Sequence, residues 1–336
     1  MIIVCIFFLK IARIMRYENM EEFFMLIGLP KGLMYWKYGV IVETFLDELK
    51  VDYIVSPDTN RNILDRGVNT CVDDACLPVK VFHGHVDWLK ERCDVIITPR
   101  IMKVTEREFI CPKFCGIVEM LKNSIEGLPQ LVEEPLSMIS ESDIFRWFHR
   151  IGKLADCNKN SIERAYTKAL NTYKNMNKGI EDTGYKHKVA LIGHPYNIYD
   201  TYCNMNIWKK LNRLGAGIIT EEKVSSSLIE EKAKALFKRP FWNFAKNSYG
   251  ASISLYEEGK IDGIIYISSF ACGIDSIVIE LIKEYVGDFP FMVLKIDEHT
   301  GEAGTDTRLE AFCDMLERRN LNEDKCSSLG KYIYSS

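Results

Sequence analysis

Eleven cysteines stand in this chain of 336 residues, and three of them occupy places where a thiol can ionise. Cys76 opens a helical pattern in Asp73-Asp74-Ala75-Cys76-Leu77-Pro78-Val79-Lys80, with Pro78 suited to the first turn. Cys111 follows an apolar strand at 94–98 after a loop and precedes another helix start, in Ile110-Cys111-Pro112-Lys113-Phe114-Cys115-Gly116. Cys272 comes directly after the strand 261–267, in Ser268-Ser269-Phe270-Ala271-Cys272-Gly273-Ile274-Asp275. Helix N-termini and nearby lysines favour thiolate, the form that binds metal. Cys71 and Cys115, each close to a better candidate, stand in reserve; Cys5, Cys93, Cys157, Cys203, Cys313 and Cys326 read as small apolar residues.

Zinc sites usually show two short Cys/His pairs, and CPKFC is the only tight pair in such a context, so a structural zinc site is the weaker reading. Thiolates far apart in sequence suit an iron–sulfur cluster better. Three thiolates on a cubane leave one iron open to water or substrate. Among other polar residues, His194 follows a strand end, and Glu298 and His299 lie in Asp297-Glu298-His299-Thr300-Gly301-Glu302 after another, where carboxylates can orient a substrate or transfer a proton. Those acids, with Arg308 and Glu310, can equally form a structural ion-pair network. Lys80, Arg100 and Lys113 are candidates for binding phosphate groups or an acidic partner, weighed against solvated charges, and His83 and His85 are weighed against partly buried or surface roles.

The elements that must position these groups alternate. MLIGL at 25–29, a helix from Trp36 to Lys50, VDYIVS, a helix after Cys76 and CDVIITP form one α/β series. KVALIGHP, a helix from Trp208 to Leu214, GAGIIT, helices through 228–258, DGIIYISS, a helix from Asp275 to Tyr285 and PFMVLKID form a second. Ile27-Gly28-Leu29-Pro30 echoes Ile192-Gly193-His194-Pro195. The pattern predicts an α/β protein of two Rossmann-like, doubly wound parallel-sheet domains, at 25–125 and 188–320, joined by a helical connector at 126–187 without β signal. Within the connector, Asn160 or Ser161 is the expected cap of a helix burying Ile162, Ala165, Tyr166, Ala169, Leu170 and Tyr173, and 171–188 is the hinge candidate. Residues 1–24 read as an extension and 321–336 as a tail.

Composition narrows the class. With 47% hydrophobic, 27% charged and 11% aromatic residues the chain is an ordinary globular one, and a net charge of −4 argues against nucleic acid or an anionic membrane surface as partner. The apolar run Ile2–Leu9 is far short of the roughly twenty residues that span a bilayer and has no cleavage-site pattern after it, so a reduced, cytoplasmic setting is expected.

IGLPKGLMYW, DDACLPVKVFHGHV, IITPRI with FICPKFCG, LIGHPYNIYD, ISSFACGIDSI and DEHTGEAGTDTRLEAFCDML together resemble the acyl-CoA dehydratase activase-related proteins of the 2-hydroxyacyl-CoA dehydratase and double-cubane cluster superfamily. The likeness runs from about residue 26 to 317. It implies two flavodoxin-like domains with an iron–sulfur cluster between them, a 4Fe–4S cubane on Cys76, Cys111 and Cys272 with Cys115 in reserve. A double cubane, 8Fe–9S, drawing on Cys71, Cys76, Cys111, Cys115, Cys203 and Cys272 is the alternative. It implies as partners an ATP-dependent activase that injects a low-potential electron, a dehydratase partner subunit or a homodimer, and an acyl-CoA substrate that loses water by way of a ketyl radical. A non-catalytic electron-transfer subunit, and a reductase of small molecules, are the rival roles. No GxxxxGKS/T phosphate loop is present, so ATP hydrolysis falls to a partner.

Overall fold

The computed structural model describes the backbone of residues 25–333 and side-chain surroundings as far as residue 319. The extension expected over 1–24, with Cys5, lies outside the described residues, as does the side chain of Cys326. The strands are β1 Ile27–Leu29, β2 Tyr53–Val55, β3 Val95–Ile97, β4 Arg100–Thr105, β5 Glu108–Phe109, β6 Gln130–Val132, β7 Pro135–Ser137, β8 His187–Gly193, β9 Ala216–Thr220, β10 Gly263–Ser269 and β11 Phe291–Ile296.

They build two parallel sheets of the same plan. The first has the order β2-β1-β3-β6 and the second β9-β8-β10-β11. Counting strands within each half, both read 2-1-3-4, the doubly wound order in which connections leave the first strand to opposite sides and open a crevice beyond its carboxyl end. That crevice falls between β1 and β3 in one half and between β8 and β10 in the other. The strands β9 and β10 are buried along their whole length, as parallel strands covered on both faces must be. A small third sheet, β5-β4-β7, lies beside the first.

Two expectations change. The segment 126–187 begins with β6 and β7, so it is not wholly helical: β6 closes the first sheet beside β3 and β7 pairs with β4. Strands of three residues carry too few side chains to show a period. The helix Lys159–Asn175 is capped by Asn158, whose side chain accepts from the Ser161 amide at 2.9 Å, and not by Asn160 or Ser161. Its expected apolar face is buried, with Ile162, Ala165, Tyr166 and Ala169 packed into the first core. The final helix, Glu302–Ile333, runs past the expected boundary of the tail.

A helix absent from the sequence reading, Arg61–Thr70, packs on Leu77–Leu89 so closely that a Cβ on Gly67 would stand 1.9 Å from the Lys80 carbonyl oxygen, and one on Gly84 1.9 Å from that of Ile63. This pair fastens the halves together. Ile63, Leu64, Leu77 and Val81 belong to one core with Val189, Leu191, Ile265 and Ile267 of the second sheet. Polar ties follow the same route: Thr59 donates to Asp200 at 2.6 Å and lies 3.1 Å from His85, and Lys80 pairs with Glu298. On the far side, buried Glu108 of β5 accepts from Arg239, Asn243 and Lys246 at 2.8, 2.7 and 2.8 Å. Among the described residues no helix is long and apolar enough to cross a membrane.

Candidate functional site

Each of the three leading cysteines is the residue immediately before a helix. Cys76 precedes Leu77–Leu89, Cys111 precedes Pro112–Cys115 and Cys272 precedes Gly273–Val286; His194 stands in the same relation to Pro195–Tyr199. Proline in the first turn explains three of these starts, since its fixed φ suits that turn and its missing N–H would have no partner there. Cys272 is set instead by a turn in which its amide donates to the Ser269 carbonyl and Ala271 takes a positive φ of 60°. For a residue with a Cβ that conformation stores strain, of the kind that persists where surrounding structure enforces it.

These starts converge. The buried phenol of Tyr196 is held well above its ordinary pKa first by burial and then by the charges of Cys76, Cys111 and Cys272 together. Cys76 also bears on Cys111 and on Cys272. All three thiols thus act electrostatically on one side chain, and their sulfurs do not all lie within 4.8 Å of one another. One tetrahedral zinc with Zn–S near 2.3 Å requires sulfurs about 3.8 Å apart.

The sequence expectation that helix starts and lysines would lower the thiol pKa values is reversed at Cys111 and Cys272. Burial pushes Cys272 up to about 12, with the Asp275 charge adding to it, and raises Cys111 too. The Asp275 and Lys113 amides lean on these sulfurs and pull the other way, but neither lies close enough to make a cap hydrogen bond, so burial wins. Without a cation these thiols hold their protons; a metal would displace them.

Beside Cys272 lies a second set of donors. His194, Cys272 and Asp275 place one ligand atom each within 4.8 Å of one another. Asp275 is wholly buried; its Oδ1 accepts from Tyr266 at 2.8 Å and lies 3.1 Å from His194 Nε2, at an angle that makes no hydrogen bond. Burial raises its pKa, but His194 and the surrounding donors outweigh that and leave it below the usual carboxylate range. Asp275 Oδ2 and His194 Nε2 are buried without hydrogen-bond partners, while His194 Nδ1 meets the Tyr196 hydroxyl at 2.5 Å. Phe244 tilts against His194 at 4.3 Å between ring centres, and Phe114 and Tyr196 close the wall.

The other named residues are spread. Cys115 donates its thiol to the Ile101 carbonyl at 3.6 Å, and Cys71 lies in reach of Cys76 and Lys80, raised to about 11 by burial. Glu298 is engaged by Lys80, while His299 is 87% exposed in its side chain. Lys80 is therefore no solvated charge, and His83 and His85 are fully buried instead of half-exposed. Arg100 pairs with Glu119. The ionic network near the last loop centres on Lys210 with Glu302 and Asp306, and Arg308 donates to the Val293 carbonyl. Sequence reasoning missed Tyr196 and Asp275 as site residues, although Asp275 stands three residues after Cys272, a spacing that faces a helix's first turn.

A family profile described as CoA enzyme activase uncharacterised domain matches residues 26–224. It takes in Cys76, Cys111 and His194 and stops short of Cys272. No curated protein matches the chain. Among solved structures, the catalytic subunit of cobaltochelatase from Mycobacterium tuberculosis aligns over 72% of this chain and 18% of its own, at 9% identity and a TM-score of 0.22, too slight a likeness to bear on fold or function. With more than half its length matched, the chain belongs to the CoA enzyme activase family that this domain defines.

Proposed function

We propose that this chain is an iron–sulfur protein of a CoA-enzyme activase system, which takes a low-potential electron from an ATP-dependent activase and uses it in a reductive or dehydrating step on an acyl-CoA. The observation that carries the reading is the convergence of Cys76, Cys111 and Cys272, each at a helix start, around Tyr196. Soft thiolate donors from three separate segments, whose sulfurs do not all lie within 4.8 Å of one another, suit a 4Fe–4S cluster with one iron open. Such a cluster supplies one-electron chemistry when bound.

The chain's own residues do the rest. The N-termini of Leu77–Leu89 and Gly273–Val286 place partial positive charge next to Cys76 and Cys272 and favour their ionised form once the protons leave. His194 and Tyr196 share a short hydrogen bond beside Cys272 and can hold or pass a proton there. Asp275, held ionised, keeps His194 oriented, and Phe114 and Phe244 exclude water. The Lys80–Glu298 pair ties the helix after Cys76 to the strand end after β11, a positioning contact between the two halves.

One observation favours a second reading. The His194, Cys272 and Asp275 atoms are close enough for a single metal ion, with two of them unpartnered. Anaerobic reconstitution followed by iron and sulfide analysis and EPR separates the two: a cluster brings equal iron and sulfide, a single ion brings no sulfide. A chain that takes up neither overturns both. Catalytic and accessory roles divide on binding: a stable activase complex without CoA-ester binding marks an electron-transfer subunit in a cytoplasmic activase–dehydratase pair.

A further inference from the structure

Inward from Cys272 the second half buries a line of polar side chains in places where apolar ones would pack without cost. Tyr266 of β10 is wholly buried, and its hydroxyl donates to Asp275 Oδ1 at 2.8 Å. The buried Ser248 hydroxyl, on the helix Asn243–Glu257, is a second hydrogen-bonding neighbour of that phenol. Ser248 also meets Glu221 Oε2 at 3.3 Å. Glu221 and the half-buried Glu222 stand in the turn Glu221–Lys223 directly after β9. In the other direction Asp275 Oδ1 lies 3.1 Å from His194 Nε2, where a turn of the ring makes the bond, and His194 Nδ1 meets the Tyr196 hydroxyl at 2.5 Å.

The two ends of this line differ in charge. Burial and the neighbouring Glu222 push Glu221 up to about 8, against the pull of Lys37, so it carries a proton at neutral pH. Asp275 is held ionised. A protonated acid and a bare carboxylate are thus joined by the Ser248 and Tyr266 hydroxyls, each able to donate and to accept. Beyond them His194 Nε2 is buried without a partner, and at the outer end so is Glu222 Oε2.

We propose that Glu222, Glu221, Ser248, Tyr266 and Asp275 form a proton path that supplies the His194–Tyr196 pair from water. Each hop breaks one O–H or N–H bond and forms the next: Tyr266 gives its proton to Asp275 and takes one from Ser248, which takes one from Glu221. His194 accepts at Nε2 and gives at Nδ1. The net event is one proton taken from water at Glu222 and one delivered beside Cys272, and no electron moves along the path. Its use rests on the reading of the cysteine site as one of one-electron reduction, where a proton must follow the electron; the path itself belongs to the chain alone.

The test uses the full chain without iron, so its failure leaves the iron–sulfur reading untouched. Saturation of the water signal in proton NMR is read at the downfield proton of the short Tyr196–His194 hydrogen bond, assigned by its loss in Tyr196→Phe. Transfer of saturation reports how fast that buried proton exchanges with water. Ser248→Ala removes one link with little change of volume and is expected to slow the exchange about tenfold or more. Glu221→Gln, whose amide cannot pass a proton on, is expected to slow it similarly. Ser254→Ala, which removes another buried hydroxyl of the same helix, is expected to leave the rate unchanged. Equal exchange in the wild type, Ser248→Ala and Glu221→Gln overturns the inference, as does a slowing in Ser254→Ala as large as that in Ser248→Ala.

Discussion

The two halves repeat one plan and have diverged at one spot. Gly28-Leu29-Pro30 and Gly193-His194-Pro195 end equivalent strands, β1 and β8, in sheets of equal strand order. In the first half leucine follows the glycine and the crevice beyond is apolar; in the second, histidine follows it, and the crevice gathers Cys272, Asp275 and Tyr196. The strand plan thus supplies a place, and the residues at the strand ends decide what that place can do. The helix pair Arg61–Thr70 and Leu77–Leu89, rooted in the first half and packed into the core of the second, carries Cys76 to the shared site.

Substitutions at the matching glycines probe the comparison most severely. Gly193 holds a φ of 151°, and a Cβ there would meet the Ile267 carbonyl oxygen at 2.4 Å, backbone that cannot step aside. Gly193→Ala is expected to cost about 3 kcal/mol or more. Gly28 has ordinary φ, and its added Cβ would meet the buried Cys93 sulfur at 2.5 Å, a side-chain atom and not backbone, so Gly28→Ala should cost about 1 to 2 kcal/mol. Urea midpoints at constant slope measure both, and equal losses would break the distinction between the two strand ends.

Across the opposite edge of the halves, Glu108→Gln leaves Lys246 and Arg239 facing a neutral group. A loss of about 2 to 3 kcal/mol is expected in the same assay, discounted because Arg239 is 38% exposed.

Acid and base behaviour should separate the halves as well. Burial holds His85 neutral in the folded state, down to about 3 from an unfolded value of 6.5. Its contribution is present above 6.5 and is lost as pH falls toward 3, by about 1.4 kcal/mol per pH unit. Glu221, under the second sheet's helix Asn243–Glu257, is pushed up to about 8 by burial and by neighbouring Glu222. Its contribution is present below 4.5 and is lost as pH rises toward 8. His85→Gln should flatten the acid limb of a stability–pH curve and Glu221→Gln the alkaline limb; the same limb changing in both variants would contradict these assignments.

A smaller effect is expected at the site itself. Tyr266→Phe removes the 2.8 Å donor to Asp275 and should destabilise by about 1 to 2 kcal/mol, more than the loss of an exposed tyrosine hydroxyl such as that of Tyr202.

Long, largely buried strands such as β8 and β10 announced themselves through runs of Val, Ile and Leu, and the helix starts at Cys76, Cys111 and Cys272 through neighbouring Pro or Gly. The strands β4 to β7 did not, because two to six residues with half-exposed sides leave no period to read. Local order at each cysteine was legible; convergence was not, since it depends on how Leu77 and Val81 pack against Val189 and Ile265 across the molecule. Asp275 and Tyr196 were hidden for the same reason. An acid and a phenol near a helix start are ordinary until a distant histidine or cysteine lies beside them.

The central claim is most directly tested by iron and sulfide content after anaerobic reconstitution, comparing the wild-type chain with Cys76→Ser/Cys111→Ser/Cys272→Ser and with His194→Ala/Asp275→Asn. The account predicts about four irons with equal sulfide in the wild type, retention in the His194/Asp275 variant, and near-complete loss in the triple variant. A triple variant that keeps its iron and sulfide, or a wild-type chain that binds none, would contradict it.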